Sequence, residues 1–140
     1  MTDFYDSLKV KEIPVIGSVP AGQPFLVREQ PLGYLVLSQE QLKHVSHAEK
    51  LFALKVSGSS LTGDEIYDGD YLLVDPLQKD IINGKIYVIR NRDGQCFVRH
   101  AHKADDCLRL VSSDGKTDEL QCIDVEILGR AILVYRSQAL

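Results

Sequence analysis

The chain of 140 residues has no tryptophan, one methionine and only three cysteines, Cys96, Cys107 and Cys122. Odd in number and without a CxxC pair, they form no disulfide framework or zinc-knuckle pattern and fit free thiols in a reducing compartment. No apolar run approaches the roughly 20 residues that span a bilayer. Asp3 and Asp6 come early and no apolar stretch follows them, so no signal-peptide pattern is present. Cytoplasm is the expected compartment, with no membrane partner. Positive charge is also scarce. A formal net charge of −4 argues against a free-standing nucleic-acid binder, because phosphate affinity comes from clustered Lys and Arg. Internal repeats and low-complexity tracts are absent. The remaining composition, 44% hydrophobic and 26% charged, suits one globular domain that buries about two thirds of its unfolded surface.

Residues 1–12 are polar with scattered apolar positions and read as an arm or linker ahead of a domain over 13–140. Such an arm is too short for a helix-turn-helix, which needs two helices and a turn. Beyond it the pattern is mostly strand. Short apolar segments at Val15-Ile16, Phe25–Val27 and Tyr34–Leu37 are broken by Pro20, Gly22, Pro24 and Gly33. Further strands are expected at Leu51–Ser57, Tyr71–Val74, Lys85–Ile89, Gln95–His102, Cys107–Ser112 and Val125–Tyr135. Turn chemistry at Asp75-Pro76, Asn83-Gly84, Asp93-Gly94 and Asp114-Gly115 separates most of them. One helix is predicted at Gln39–His44, where Ser38 and Gln41 form a capping-box pattern. The fold class is therefore mostly β. The apolar segment Val125–Tyr135 reads either as a central strand bent at Gly129 or as a dimer contact, and the two are compatible.

The most informative stretch is Val56-Ser57-Gly58-Ser59-Ser60-Leu61, followed at once by Asp64-Glu65-Ile66-Tyr67-Asp68-Gly69-Asp70. An apolar strand runs into a small-residue turn, and a second turn returns the chain into another apolar strand. Small residues let other backbone approach a serine hydroxyl, as a nucleophile requires. The plainer reading is a Ser/Gly loop between strands, since such loops are abundant. Among other chemistry-bearing residues, Cys96, His100 and His102 share a strand face by parity. Structural zinc prefers four ligands at tighter spacing, so no metal or cofactor is expected. His44 and His47 read as surface residues near the predicted helix.

Three segments together resemble the self-cleaving repressor family of LexA, phage-repressor C-terminal domains and UmuD. They are Ile13–Pro24, with an Ala21–Gly22 bond like the family's cleavage site; Ser57-Gly58-Ser59-Ser60; and Asn83–Ile89 followed by a hairpin at Asp93-Gly94 and Phe97-Val98-Arg99. The resemblance covers nearly the whole chain. It implies a mixed, partly barrel-like β fold with Ser60 as nucleophile in a cleft, and no cofactor. It also implies a homodimer serving a stress-response or phage-type repressor, with a RecA-type filament or a DNA polymerase as further partner. DNA would be reached only through a domain absent from this chain.

One position departs from the family pattern. Where the family carries a lysine as general base, this chain has Arg99. A desolvated lysine can lose its proton and then take one from a serine hydroxyl. A guanidinium, with a pKa above about 12 and donors only, cannot. Strand alternation sets Phe97, Arg99 and Ala101 on one face and Val98, His100 and His102 on the other, so His100 would reach that position only through a one-residue slip. The expectation is thus a dimeric regulatory domain whose self-cleavage at Ala21–Gly22 is weak or absent. Alternatives are an active peptidase using Ser60 with another base, a UmuD-like accessory subunit of a translesion polymerase, and, more distantly, a signal-peptidase-like enzyme.

Overall fold

The computed structural model describes residues 9–20, 24–59 and 61–136. Nine strands make one mixed sheet: β1 (Val10–Val19), β2 (Gly33–Ser38), β3 (Phe52–Val56), β4 (Tyr71–Asp75), β5 (Ile86–Asn91), β6 (Cys96–Ala104), β7 (Cys107–Val111), β8 (Thr117–Gln121) and β9 (Val125–Tyr135). Their order is β2-β1-β3-β4-β9-β5-β6-β7-β8. Among the described residues, only β1 and β3 pair in parallel. The sheet does not close on itself, so the mostly β, mixed fold is as expected, with β2 and β8 as its edges.

Side-chain alternation explains how one sheet holds three cores. Leu54, Val56, Leu72, Val74, Val88, Cys96 and Val98 point to one face and meet Leu61 and Ile66 there. Ala53 and Leu73 point to the other face and pack with Ile13, Val15, Leu35, Leu37 and Leu51. Farther along that second face, Tyr87, Ile89, Ala101, Leu108 and Leu110 form the third cluster. A register shift in β1 between Val15 and Gly17 lets one strand serve two faces, since Val15 belongs to the second cluster and Val19 to the first. Strands covered on both sides lose strict alternation. That is why Leu72, Leu73 and Val74 are all buried.

Three local expectations change. The predicted helix at Gln39–His44 is a run of turns. Its capping box forms, with Ser38 N donating to Gln41 Oε1 at 2.9 Å and Gln41 N to Ser38 Oγ at 3.1 Å. The backbone bonds that follow span three residues, such as Val45 N to Leu42 O at 2.9 Å. Within the six residues only Leu42 is buried, too little apolar surface to hold a helix against the sheet. The strand expected at Phe25–Val27 reduces to one bridge between Phe25 and Cys96. An unanticipated strand, β8, pairs with β7 through a sequence exposed at every position.

β9 is central, between β4 and β5; its pairing with β5 shifts register between Gly129 and Ile127, and its pairing with β4 between Ala131 and Leu133. A Cβ at Gly129 would sit 2.5 Å from Asp75 O, so the bend brings two backbones together where only glycine fits. Among the described residues no helix is long and apolar enough to cross a membrane.

Candidate active site

β3 ends at Val56, and backbone bonds fix the turn that follows. Ser57 N donates to Val19 O at 2.9 Å, Val56 N to Asp70 O at 2.8 Å, and Gly69 N to Val56 O at 2.8 Å. Gly58 adopts φ +85°, a left-handed conformation that favours glycine, and its N–H donates to Asp68 Oδ1 at 2.9 Å. The Asp68-Gly69-Asp70 turn therefore holds the Ser57-Gly58 turn from beneath. Past position 60, Leu61 is buried and Thr62–Asp64 make one 3₁₀ turn, anchored by Thr62 Oγ1 donating to Ser59 O at 2.9 Å. Ser60 itself, and the Ala21–Gly22 bond, lie outside the described residues.

A cleft of about 670 Å³ opens beside this turn. Ser59, Leu61, Thr62 and Gly63 form one wall; Phe97, Val98, Arg99, Ser112–Asp114, Lys116 and Asp118 form the other. Pro20 and Phe25 also line it, so the chain on both sides of residues 21–23 is held at the cleft. Phe25 is fixed there by paired bonds with Cys96, N to O at 3.1 Å and O from N at 2.7 Å. Of the four residues singled out in sequence, Arg99 is the one the structure describes, and it is in the cleft wall.

Arg99 pairs with Tyr87 across β5 and β6, in the unslipped register. Its Nη1 donates to Val98 O at 2.8 Å, and its Cζ stands 5.4 Å from the centre of the Phe97 ring. Burial lowers its pKa from the ordinary arginine value, while the nearby Asp118 and Asp114 carboxylates oppose that shift. An arginine so placed remains a cation and a donor.

His100 and Cys96, weighed in sequence as metal partners, have other partners. Cys96 is buried, its Sγ lies 3.9 Å from Gly94 O, and burial raises its thiol pKa. His100 Nε2 lies 2.7 Å from Asp64 Oδ1 and its Nδ1 2.7 Å from Gly84 O. Asp64 Oδ2 also accepts from Ser113 Oγ. Asp64 stands in the stretch that the sequence singled out, but nothing local pointed to its partners, which lie 36 and 49 positions away.

Beneath the turn, Asp70 is buried, 1% exposed. Arg136 Nε and Nη2 bind its two oxygens at 2.8 and 2.7 Å, and Tyr67 N donates to Oδ2 at 2.8 Å. The Arg136 bonds hold the Asp70 carboxyl below the usual value, against the opposing effect of burial. Arg136 also reaches Glu65 O at 3.3 Å and covers the Tyr67 ring, so the residue just past β9 braces the serine turn. Spacing signalled the Asp68-Gly69-Asp70 turn; the ion pair to a residue 66 positions later had no local signal.

Comparison with known proteins decides the family. The Peptidase S24-like family model matches residues 14–132. This chain belongs to that family. As a Peptidase S24-like chain it is 36% identical over 130 residues to a LexA repressor of Lactobacillus delbrueckii subsp. bulgaricus, covering 93% of this chain and 61% of the relative. A LexA repressor of Geobacillus kaustophilus is 34% identical over 128 residues, 91% of this chain and 60% of that protein. One from Bacillus mycoides is 30% identical over 131 residues, 94% and 62% respectively. The chain thus spans about three fifths of the length of the curated relatives it matches.

Proposed function

We propose that this chain is the regulatory, peptidase-like part of a LexA-type repressor, with Ser60 as nucleophile, Ala21–Gly22 as the bond presented to it, and Arg99 at the position of the general base. The observation that carries the proposal is Arg99 in the cleft wall, opposite the residues on either side of position 60. Pro20 and Phe25 at the same cleft support the assignment of the bond between them. Hydrolysis needs the serine proton removed as its oxygen attacks the Ala21 carbonyl. Backbone N–H groups of the serine turn would stabilise the oxyanion, at about 3–4 kcal/mol for a well-placed donor. A guanidinium can donate to that carbonyl and cannot take the proton. The scaffold therefore holds the strand and the serine with self-cleavage slow at neutral pH.

Intact-mass spectrometry over time tests this. The unmodified chain should stay whole at pH 7, and Arg99→Lys should release a 21-residue fragment, while adding Ser60→Ala should abolish the cut. Rapid cutting of the unmodified chain would overturn the role given to Arg99. Failure of Arg99→Lys to cut would mean that more than the base is missing.

The proposal includes a homodimer. Leu133 and Val134, 38% and 44% exposed near the end of β9, are apolar side chains open to a partner. β9 is paired with β5 only over Val125–Arg130, and at Leu133–Tyr135 it pairs with β4 alone, so the contact would use side chains there together with the strand edge that β5 leaves open. Sedimentation should show a dimer at tens of micromolar that Leu133→Glu with Val134→Glu dissociates; a monomer in the unmodified chain would refute it.

A further inference from the structure

We propose that His100 and Asp64 are positioning residues: together they clasp the turn leaving position 60, and the clasp is whole only while the imidazole carries both its protons. The inference rests on the functional reading above for its catalytic meaning, and on geometry for its existence.

Both partners of the His100 ring are acceptors, a backbone carbonyl at Gly84 and a carboxylate at Asp64, each at 2.7 Å. A neutral imidazole has a single N–H, so it leaves one bare nitrogen lone pair facing one of these oxygens. The imidazolium satisfies both. Asp64 extends the connection, because its second oxygen accepts from Ser113 Oγ. Directly before it, Gly63 lies so close to the Ser113 backbone that a Cβ would come within 2.4 Å of Ser113 O. One carboxylate thus joins the 3₁₀ turn Thr62–Asp64 to β6 and to the β7–β8 turn, with His100 linking on to the β4–β5 turn. A change of one proton on His100 would loosen the turn that follows the proposed nucleophile.

The surrounding charges do not substitute for that proton. The turn after position 60 presents Asp64 and Glu65, β6 carries Arg99 and His102, the β4–β5 turn carries Lys85, and the β7–β8 turn carries Asp114 and Lys116. Among them Asp64 bears on the ring directly. Burial alone lowers the His100 pKa; the bonds to Gly84 O and Asp64 outweigh it, and the net shift is upward. The sign follows. A raised folded value means that the clasp contributes fully below the ordinary histidine value near 6.5 and is lost as pH rises through the folded value.

The test uses the full chain and reads the clasp without relying on cleavage. Ring C–H signals of the four histidines are titrated by NMR, His100 being assigned by its loss in His100→Gln. Its titration should lie above the ordinary value, and Asp64→Asn should bring it down. Amide exchange of residues 61–66, corrected for intrinsic pH dependence, should lose about tenfold protection as His100 deprotonates, the scale of one charge-assisted hydrogen bond. His100→Arg, which stays charged, should remove that pH dependence and leave the turn protected at alkaline pH. A His100 titrating at or below 6.5 overturns the clasp, as does unchanged pH dependence in His100→Arg. If Arg99→Lys cuts, its pH–rate profile should fall at high pH, and His100→Arg should remove the falling limb. If it does not cut, the NMR and exchange results still decide the clasp, so the two failures are separable.

Discussion

The wall of the cleft that carries Ser59 and Leu61 stands on strands covered on both faces, whereas the wall that carries Arg99, Asp114 and Asp118 stands on strands that reach solvent. In β4 every residue after Tyr71 is buried, and β3 buries three of five. Across the cleft, β6 buries only Cys96, Val98 and Ala101 of its nine residues, and β8 is exposed throughout. One wall is thus fixed by apolar packing, by Asp68 beneath Gly58 and by the Asp70–Arg136 pair. The other is a polar surface whose charges can change without disturbing a core. The comparison supports the proposed assignment of Arg99 to the general-base position: Arg99 is half-buried on the polar wall, with its guanidinium over the Phe97 ring and outside the buried clusters.

Three substitutions probe that contrast. The largest effect is expected at the polar wall itself, in Arg99→Lys. Supplying a group that can lose its proton should speed cutting by about 10²–10⁴-fold, the usual contribution of general-base catalysis. Its rate should climb with pH through the lysine's titration, with His100 acting in the opposite sense, as followed by intact mass across pH 6–10. An equal rate in both chains would mean that the walls differ in burial alone.

Next is the seam between the walls. Gly63→Ala places a methyl against the Ser113 carbonyl and should destabilise by up to about 3 kcal/mol, read in urea denaturation. A change within about 0.5 kcal/mol, the range of an ordinary surface substitution, would show that the walls do not touch there in solution.

Smallest is the brace beneath the apolar wall. Asp70→Asn can keep one acceptor oxygen toward Tyr67 N and Arg136 Nη2, but it turns an amide N–H toward the Arg136 Nε donor and removes the charge. It should lower stability by about 1.5 kcal/mol at pH 7. The pH dependence sharpens it. A depressed Asp70 pKa gives stabilisation that is complete above the ordinary value near 3.8 and is lost as pH falls through the folded value. The substitution should therefore narrow the loss of stability on acidification, and an unchanged acid limb in a melting series would remove Asp70 from the account.

The same contrast governs what could be read from sequence. The apolar wall was legible because burial leaves a pattern: Leu51–Ser57 and Tyr71–Val74 are apolar runs bounded by turn residues, and both are strands with small end corrections. The polar wall was legible only in part. β6 was expected and its alternation held, while Thr117–Gln121 gave no hydrophobic signal because neither of its faces meets a core. The Gln39–His44 helix failed for a related reason, since its capping box was real but had one buried residue behind it. Within the site, the Ser-Gly turn and Arg99 stood out by local pattern. Asp64 with His100 and Asp70 with Arg136 did not, because each pair is made by tertiary closure between residues 36 and 66 positions apart.

β9 is the latest strand in the chain, yet it stands in the middle of the sheet, and this sets an order on folding. Until residues 125–136 are available, β4 and β5 have no neighbour between them, and the two halves of the sheet, β2-β1-β3-β4 and β5-β6-β7-β8, are separate pieces with open inner edges. Arg136 then arrives just behind the strand that closes the gap, bringing with it the cation for the already buried-prone Asp70. During synthesis on a ribosome, the serine turn can therefore gain its brace only after residues 125–136 have emerged. Long-range closure of this kind belongs to the slower folding topologies. Here it ties the completion of the candidate site to the completion of the sheet.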